Sequence, residues 1–222
     1  MANKRKVIFS EGEIYHIYNR SVGSLEILIG YKELQRALDL IYFYRFPQNI
    51  KFSHYKDLSS ENRKEYLENI KKQKPFVEIY AFSLMPDHFH ILLKQLAKDG
   101  LKSFISNFQN AFAKYYNKKN DRGGSVFKNP FKAKWIESDE IFVHVSRYIH
   151  LNPVTSYLIE MENLPKYPWT SYPFYTGNSQ RDLINTQLLL KILGSTRKYQ
   201  KFVENQVDYQ RKLNLIKKAI IE

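Results

Sequence analysis

From residue 76 to residue 95 the chain is dominated by apolar side chains and is interrupted at one point, Met85-Pro86-Asp87. A proline in this setting marks a tight corner, so the segment reads as two strands, 76–84 and 88–95, folded back on each other. The second strand opens with two histidines one residue apart, His88-Phe89-His90. Residues i and i+2 of a strand project from the same face about 7 Å apart, so both imidazoles point one way. Two imidazoles converging from a rigid strand make half of a metal site.

The flanking sequence supplies the rest of a sheet and its helices. Residues 13–20 (Glu-Ile-Tyr-His-Ile-Tyr-Asn-Arg) are rich in aromatic and β-branched residues and read as a strand. Leu34, Leu38, Ile41 and Phe46 carry helical spacing across 30–46, which ends against Pro47. Residues 48–74 are polar and charged; Ser59-Ser60-Glu61 can open a short helix to about Lys72, and the stretch reads as an insertion. A longer helix is expected over 101–118, with Leu101, Phe104, Ile105, Phe108, Phe112 and Tyr115 as its buried stripe. Asp121-Arg-Gly-Gly-Ser forms a turn and 125–136 a fourth strand. Ser138 caps a third helix, with Asp139 and Glu140 favoured in its first turn. Pro153 disfavours helical geometry in the residue before it, so this helix is expected to stop at Asn152. The order β-α-β-β-α-β-α suits an α+β ferredoxin-like sandwich with a central antiparallel sheet. A Pro- and Tyr-rich connection and a basic helical tail (183–193 and 196–221) follow, dividing the chain into 1–165 and 166–222.

Composition narrows the partners. The 222 residues include no cysteine, which removes disulfides, thiolate metal sites and cysteine nucleophiles together. No apolar run approaches the roughly 20 residues of a membrane span, and the basic start lacks a signal-peptide core. The expected address is the cytoplasm, with no membrane partner. A formal charge of +13 points to polyanions, nucleic acid first. Between residues 101 and 135, eight Lys and Arg face one acid, Asp121, interleaved with Phe104, Phe108, Phe112, Tyr115, Tyr116, Phe127, Phe131 and Trp135. Charge for phosphates beside aromatic planes for bases suits single strands.

The third helix carries a further pairing, in Ser146-Arg-Tyr-Ile-His-Leu-Asn-Pro153. Tyr148 and Asn152 are four apart and stack on one helical face, about 6 Å apart along the axis. A tyrosine hydroxyl can act as a covalent nucleophile, and an amide oxygen is a hard metal ligand. Two imidazoles and one amide oxygen leave coordination positions open, as suits a metal that also holds a phosphate oxygen.

Met85-Pro-Asp-His-Phe-His90 followed by Arg147-Tyr-Ile-His-Leu-Asn-Pro-Val154 resembles the HUH-type single-strand DNA transposases, and within them most the REP-associated tyrosine transposases. Tyr15-His-Ile-Tyr-Asn-Arg20, Gly124-Ser-Val-Phe-Lys128 and Tyr167-Pro-Trp-Thr-Ser-Tyr172 extend the resemblance over roughly residues 12–175. It implies that 1–165 is a catalytic domain, that His88 and His90 are metal ligands with Phe89 anchored between them, and that Tyr148 is the nucleophile. Asn152 becomes the third ligand, where related insertion-sequence enzymes carry glutamine. Asp87 stands where asparagine is often found and adds negative charge near the metal. The implied cofactor is Mg²⁺ or Mn²⁺. The implied reaction is cleavage of single-stranded DNA through a 5′-phosphotyrosine, with rejoining, at hairpin-bearing DNA, by a monomer or a homodimer. A non-catalytic nucleic-acid-binding module of the same fold is the alternative.

Arg20, Lys128, Lys132, Lys134 and Arg147 are the candidates for DNA-backbone contact. His150 lies about 200° round the helix from Tyr148 and reads as structural. His144, one turn before Tyr148, is a candidate to approach the site, while His16 and His54 receive no role. The C-terminal basic residues Arg197, Lys198, Lys201, Arg211, Lys212, Lys217 and Lys218 read either as a hairpin-gripping surface or as an amphipathic helix packed on the core.

Overall fold

The computed structural model describes residues 8–179 and 182–207. Four strands form one sheet: β1 (Ile14–Arg20), β2 (Val77–Met85), β3 (His88–Gln95) and β4 (Lys132–Trp135). Their order is β2-β3-β1-β4, with every neighbouring pair antiparallel. The helices are α1 (Tyr31–Tyr44), α2 (Phe52–Asp57), α3 (Ser60–Lys71), α4 (Gly100–Lys119), α5 (Asp139–Thr155), α6 (Tyr172–Tyr175), α7 (Gln187–Leu193) and α8 (Thr196–Glu204). This is the expected α+β ferredoxin-like sandwich.

The alternation of β3 divides the molecule into two layers. Phe89, Ile91 and Leu93 point into one core, where α1 and α4 contribute Leu38, Ile41, Phe104, Phe108 and Phe112. His88, His90 and Leu92 point to the other side, where α5 and the C-terminal helices pack. Phe89 fixes the strand: its buried ring stands edge-on to Phe108 at 5.2 Å and to Phe127 at 5.7 Å. Gly100 lets α4 begin directly over the entry to β2, because a Cβ there would lie 2.6 Å from the Phe76 carbonyl oxygen.

Several boundaries differ from the sequence expectation. The helix expected to stop at Asn152 continues to Thr155 with Pro153 inside it. Leu151, Asn152, Pro153, Val154 and Thr155 are all buried, and the Asn152 carbonyl still accepts from the Ser156 amide at 3.0 Å. Burial of this turn outweighs a local proline cost of about 3 kcal/mol. The fourth strand shrinks from 125–136 to four residues, since Pro130 has no amide hydrogen and Val126, Phe127 and Phe131 turn into the α4 core. Residues 48–74 form α2 and α3, which rest on α1 through Phe52, Tyr55 and Tyr66 around Phe43.

The C-terminal segment is joined closely to the rest. The Leu84 amide donates to Trp169, Ser171 to Phe82 and Asn185 to Ile79, so residues 169–171 and 185 cover the outer edge of β2. Leu189, Tyr199 and Val203 are buried with α5. The expected helix over 196–221 ends at Glu204, where the Asn205 amide closes on the carbonyls of Lys201 and Val203. Residues 208–222, including Arg211, Lys212, Lys217 and Lys218, lie outside the described residues.

Candidate active site

Strand register gathers the polar residues of one sheet face. Arg20 pairs with His88, Tyr18 with His90 and His16 with Leu92 across β1 and β3, while Lys132 and Lys134 of β4 pair with Tyr18 and His16. Directly opposed residues share a face, so His16, Tyr18, Arg20, His88, His90, Lys132 and Lys134 stand on one side of the sheet. It is the side covered by α5. Ser138 opens that helix by accepting from the Ile141 amide at 3.3 Å, and Phe142 packs edge-on to Tyr80 of β2 at 5.1 Å. These two anchors bring Tyr148 over the histidines, with its ring edge-on to His90 at 5.5 Å and to His16 at 6.2 Å.

Each candidate ligand spends one polar atom on the protein and keeps another free of hydrogen bonds. His88 Nδ1 lies 2.5 Å from Asp87 Oδ1, and Asp87 Oδ2 is 3.3 Å from Arg20 Nε. His90 Nδ1 lies 2.9 Å from His16 Nε2. Asn152 donates from Nδ2 to the Tyr148 carbonyl at 3.2 Å. What remains is Nε2 of His88, Nε2 of His90 and Oδ1 of Asn152. Among the described residues no group of three or more His, Cys, Asp or Glu could hold a metal ion. A two-imidazole, one-amide set fits a hard divalent ion that keeps open positions, and it fits poorly with a closed structural zinc site.

Burial dominates the electrostatics. It lowers the pKa of His88 against the pull of Asp87, and lowers that of His90 further, with His16, His88 and Arg20 adding to the effect. Burial and Lys134 push His16 down to about 4. The imidazoles are therefore neutral near pH 7, the form that ligates a metal. Burial raises the Tyr148 hydroxyl, opposed by a hydrogen bond from Asn152 and the charge of Arg20.

The five basic candidates separate. Arg20 is half exposed and keeps part of its guanidinium open beyond the Asp87 pair. Lys132 and Lys134 are exposed at the open edge of the sheet, Lys132 Nζ lying 6.0 Å from the Tyr18 ring. Lys128 is exposed beside a cleft of about 620 Å³ that also involves Lys102 and Lys114 of α4, and its amide donates to the Arg20 carbonyl at 2.9 Å. Arg147 is different: it is buried, its guanidinium stacked on Phe202 of α8 at 4.0 Å and 2.8 Å from His144 Nδ1. Both Arg147 and His144 thus turn to α8 and away from Tyr148. His150 is fully buried between Tyr199 and Ser171. His54 lies in α2, exposed.

His16, to which the sequence reading gives no role, stands beside His90 on this face. The available signal was alternation: His16, Tyr18 and Arg20 occupy every second position of a strand, as His88 and His90 do. Only strand register puts the two sets on the same face.

Residues 47–152 match the family described as "Transposase IS200 like". Among solved structures, the fold is similar to that of a REP-associated tyrosine transposase bound to a REP hairpin, at 13% identity and a TM-score of 0.54, over 85% of this chain and 96% of that one. A putative transposase from Deinococcus radiodurans R1 matches at 15% identity and a TM-score of 0.35, over 67% of this chain and 95% of that one. No curated protein is significantly similar in sequence.

Proposed function

We propose that this chain, whose residues 47–152 match the IS200-like transposase family, cuts and rejoins single-stranded DNA with Tyr148 as the nucleophile. The observation that carries the reading is the stacking of Tyr148 edge-on to His90, with Asn152 one turn further along the same helix. Tyr148 Oη attacks the scissile phosphorus, its proton leaves, and the P–O3′ bond breaks. The products are a free 3′-hydroxyl and a 5′-phosphotyrosine, and return attack by a 3′-hydroxyl reseals the strand.

His88 Nε2, His90 Nε2 and Asn152 Oδ1 would hold a Mg²⁺ or Mn²⁺ ion. Such an ion supplies Lewis-acid charge that polarises the phosphate and favours phenolate. The residues themselves do the remaining work. Asn152 and the charge of Arg20 favour the phenolate of the half-buried Tyr148, and Arg20, Lys132 and Lys134 bring positive charge to the DNA backbone. Hairpin-bearing DNA is the substrate class we favour, since the chain shares its fold with a transposase solved on a REP hairpin.

The test is incubation with hairpin-bearing single-stranded oligonucleotides and Mn²⁺ or Mg²⁺, followed by denaturing electrophoresis. A denaturation-resistant protein–DNA adduct that disappears in Tyr148→Phe is expected. Absence of any adduct across a broad oligonucleotide set, with binding retained, would leave a non-catalytic DNA-binding module.

A further inference from the structure

The two histidines of the candidate site are held by partners of different chemistry. His88 Nδ1 meets the Asp87 carboxylate at 2.5 Å, and that carboxylate is itself pinned by Arg20 at 3.3 Å. His90 Nδ1 meets a third imidazole, Nε2 of His16, at 2.9 Å. A neutral imidazole has one N–H and one lone pair, so the partner of one nitrogen decides what the other can do.

We propose that His16 and Asp87 are positioning residues that lock His88 and His90 in the Nδ1–H tautomer, so that both Nε2 lone pairs are presented to a divalent metal. The inference rests on the metal-site reading given above. In this arrangement the His88 N–H donates to a charged acceptor and the His90 N–H to a neutral one. For His16 to accept at Nε2, its own proton must sit on Nδ1 and the ring must be neutral. It is 7% exposed among Tyr18, His90 and Tyr148, with Lys134 as the opposed residue on β4. A His16 that carries a proton on Nε2, whether neutral or cationic, would donate and force the opposite tautomer on His90, with its lone pair turned inward. The flanking aromatic rings and the opposed Lys134 work against the cation, and imidazole tautomer spectra distinguish the neutral form.

The geometry also explains why an aspartate serves at position 87. A carboxylate accepts the His88 N–H with one oxygen and the Arg20 guanidinium with the other, which fixes the ring plane and raises the basicity of Nε2. An amide has one oxygen for those two tasks.

Two measurements test this. Long-range ¹H–¹⁵N correlation spectra of the metal-free, ¹⁵N-labelled protein report imidazole tautomers without any substitution. Nδ1–H is expected for His16, His88 and His90, and an Nε2–H assignment for His88 or His90 overturns the proposal. Mn²⁺ affinity, from the free-ion EPR signal in the absence of DNA, is the second. His16→Leu and Asp87→Ala are expected to weaken binding about 10- to 100-fold. His16→Gln and Asp87→Asn, which keep an acceptor oxygen, should recover part of the loss, and Tyr148→Phe should bind as the wild type does. Folding of each variant is checked by its thermal transition. If His88→Ala and His90→Ala abolish Mn²⁺ binding while folded His16→Leu binds within twofold of wild type, the positioning role fails and the metal site stands. If Mn²⁺ binding survives both alanine variants, the metal-site reading itself fails.

Discussion

His90 and His150 are both buried histidines on the α5 side of the sheet, and they end in opposite conditions. Residual exposure is 6% for His90 and none for His150, and burial lowers the pKa of each, that of His150 to about 3. The difference lies in the second nitrogen. His150 uses both, Nδ1 at 2.5 Å from Tyr199 Oη and Nε2 at 2.6 Å from Ser171 Oγ. His90 uses Nδ1 on His16 and has no hydrogen bond at Nε2. A buried imidazole satisfied at both ends is a joint, here tying α5 to α8 and to the segment that covers β2. One satisfied at a single end keeps a lone pair or an N–H open to a further partner. Each also sits beside a tyrosine, Tyr199 in the joint and Tyr148 in the candidate site.

That contrast is most exposed by removing the two hydroxyls. Tyr148→Phe is expected to reduce covalent adduct formation by on the order of a thousandfold or more, with the thermal transition little changed. Tyr199→Phe should do the reverse, costing about 1–3 kcal/mol because His150 loses a buried partner, while the adduct still forms. Denaturing gels and thermal melts on both variants separate the outcomes. An adduct lost equally in both would erase the distinction.

Removing the rings is the next test. His90→Ala should weaken Mn²⁺ binding by about 100-fold or more, and His150→Ala should leave it within a few-fold. The stability cost should fall the other way, with His150→Ala losing about 3 kcal/mol through the stranded Tyr199 and Ser171 hydroxyls. Calorimetric metal titrations beside urea unfolding check both halves.

Acid offers a smaller, graded effect on the same histidines. The folded-state pKa of His150 is about 3 and that of His16 about 4, both below the unfolded value of 6.5. The unfolded chain therefore takes up protons first as the pH falls. Their stabilising contribution is full above pH 6.5 and lost below it, at about 1.4 kcal/mol per pH unit for each group. Between pH 6.5 and 5 the loss is about 2 kcal/mol per histidine. His150→Gln should flatten the pH dependence of the urea midpoint by its own share, and an unchanged slope would contradict the assignment.

The smallest expected effects concern the basic residues. Lys132→Ala and Lys134→Ala should each lower the salt dependence of single-strand binding by about 0.7 in log–log slope, the signature of one phosphate contact. Arg147→Ala should leave the slope unchanged and lower stability, because its guanidinium lies on Phe202.

Much of this arrangement was legible along the chain. Strand periodicity marks His88 and His90, helical spacing marks Tyr148 and Asn152, and both patterns are local, so local reasoning finds them. Three features were not legible because they depend on what packs from afar. His16 acquires its partner only through the register of β1 against β3. Arg147 has the composition of a phosphate contact, yet α8 arrives from some fifty residues away and covers it. Pro153 carries a local stop signal that burial of Leu151 and Val154 overrides. Local chemistry marks the candidate groups, and tertiary contacts decide which histidine is a joint and which is left open.

The most direct measurement is to digest the wild-type DNA adduct with trypsin and nuclease and locate the modified residue by tandem mass spectrometry. The nucleotide remnant is expected on Tyr148, linked through its 5′-phosphate. A remnant on Tyr18, Tyr157 or Tyr199, or one linked through a 3′-phosphate, would contradict the assignment of Tyr148 as the attacking group.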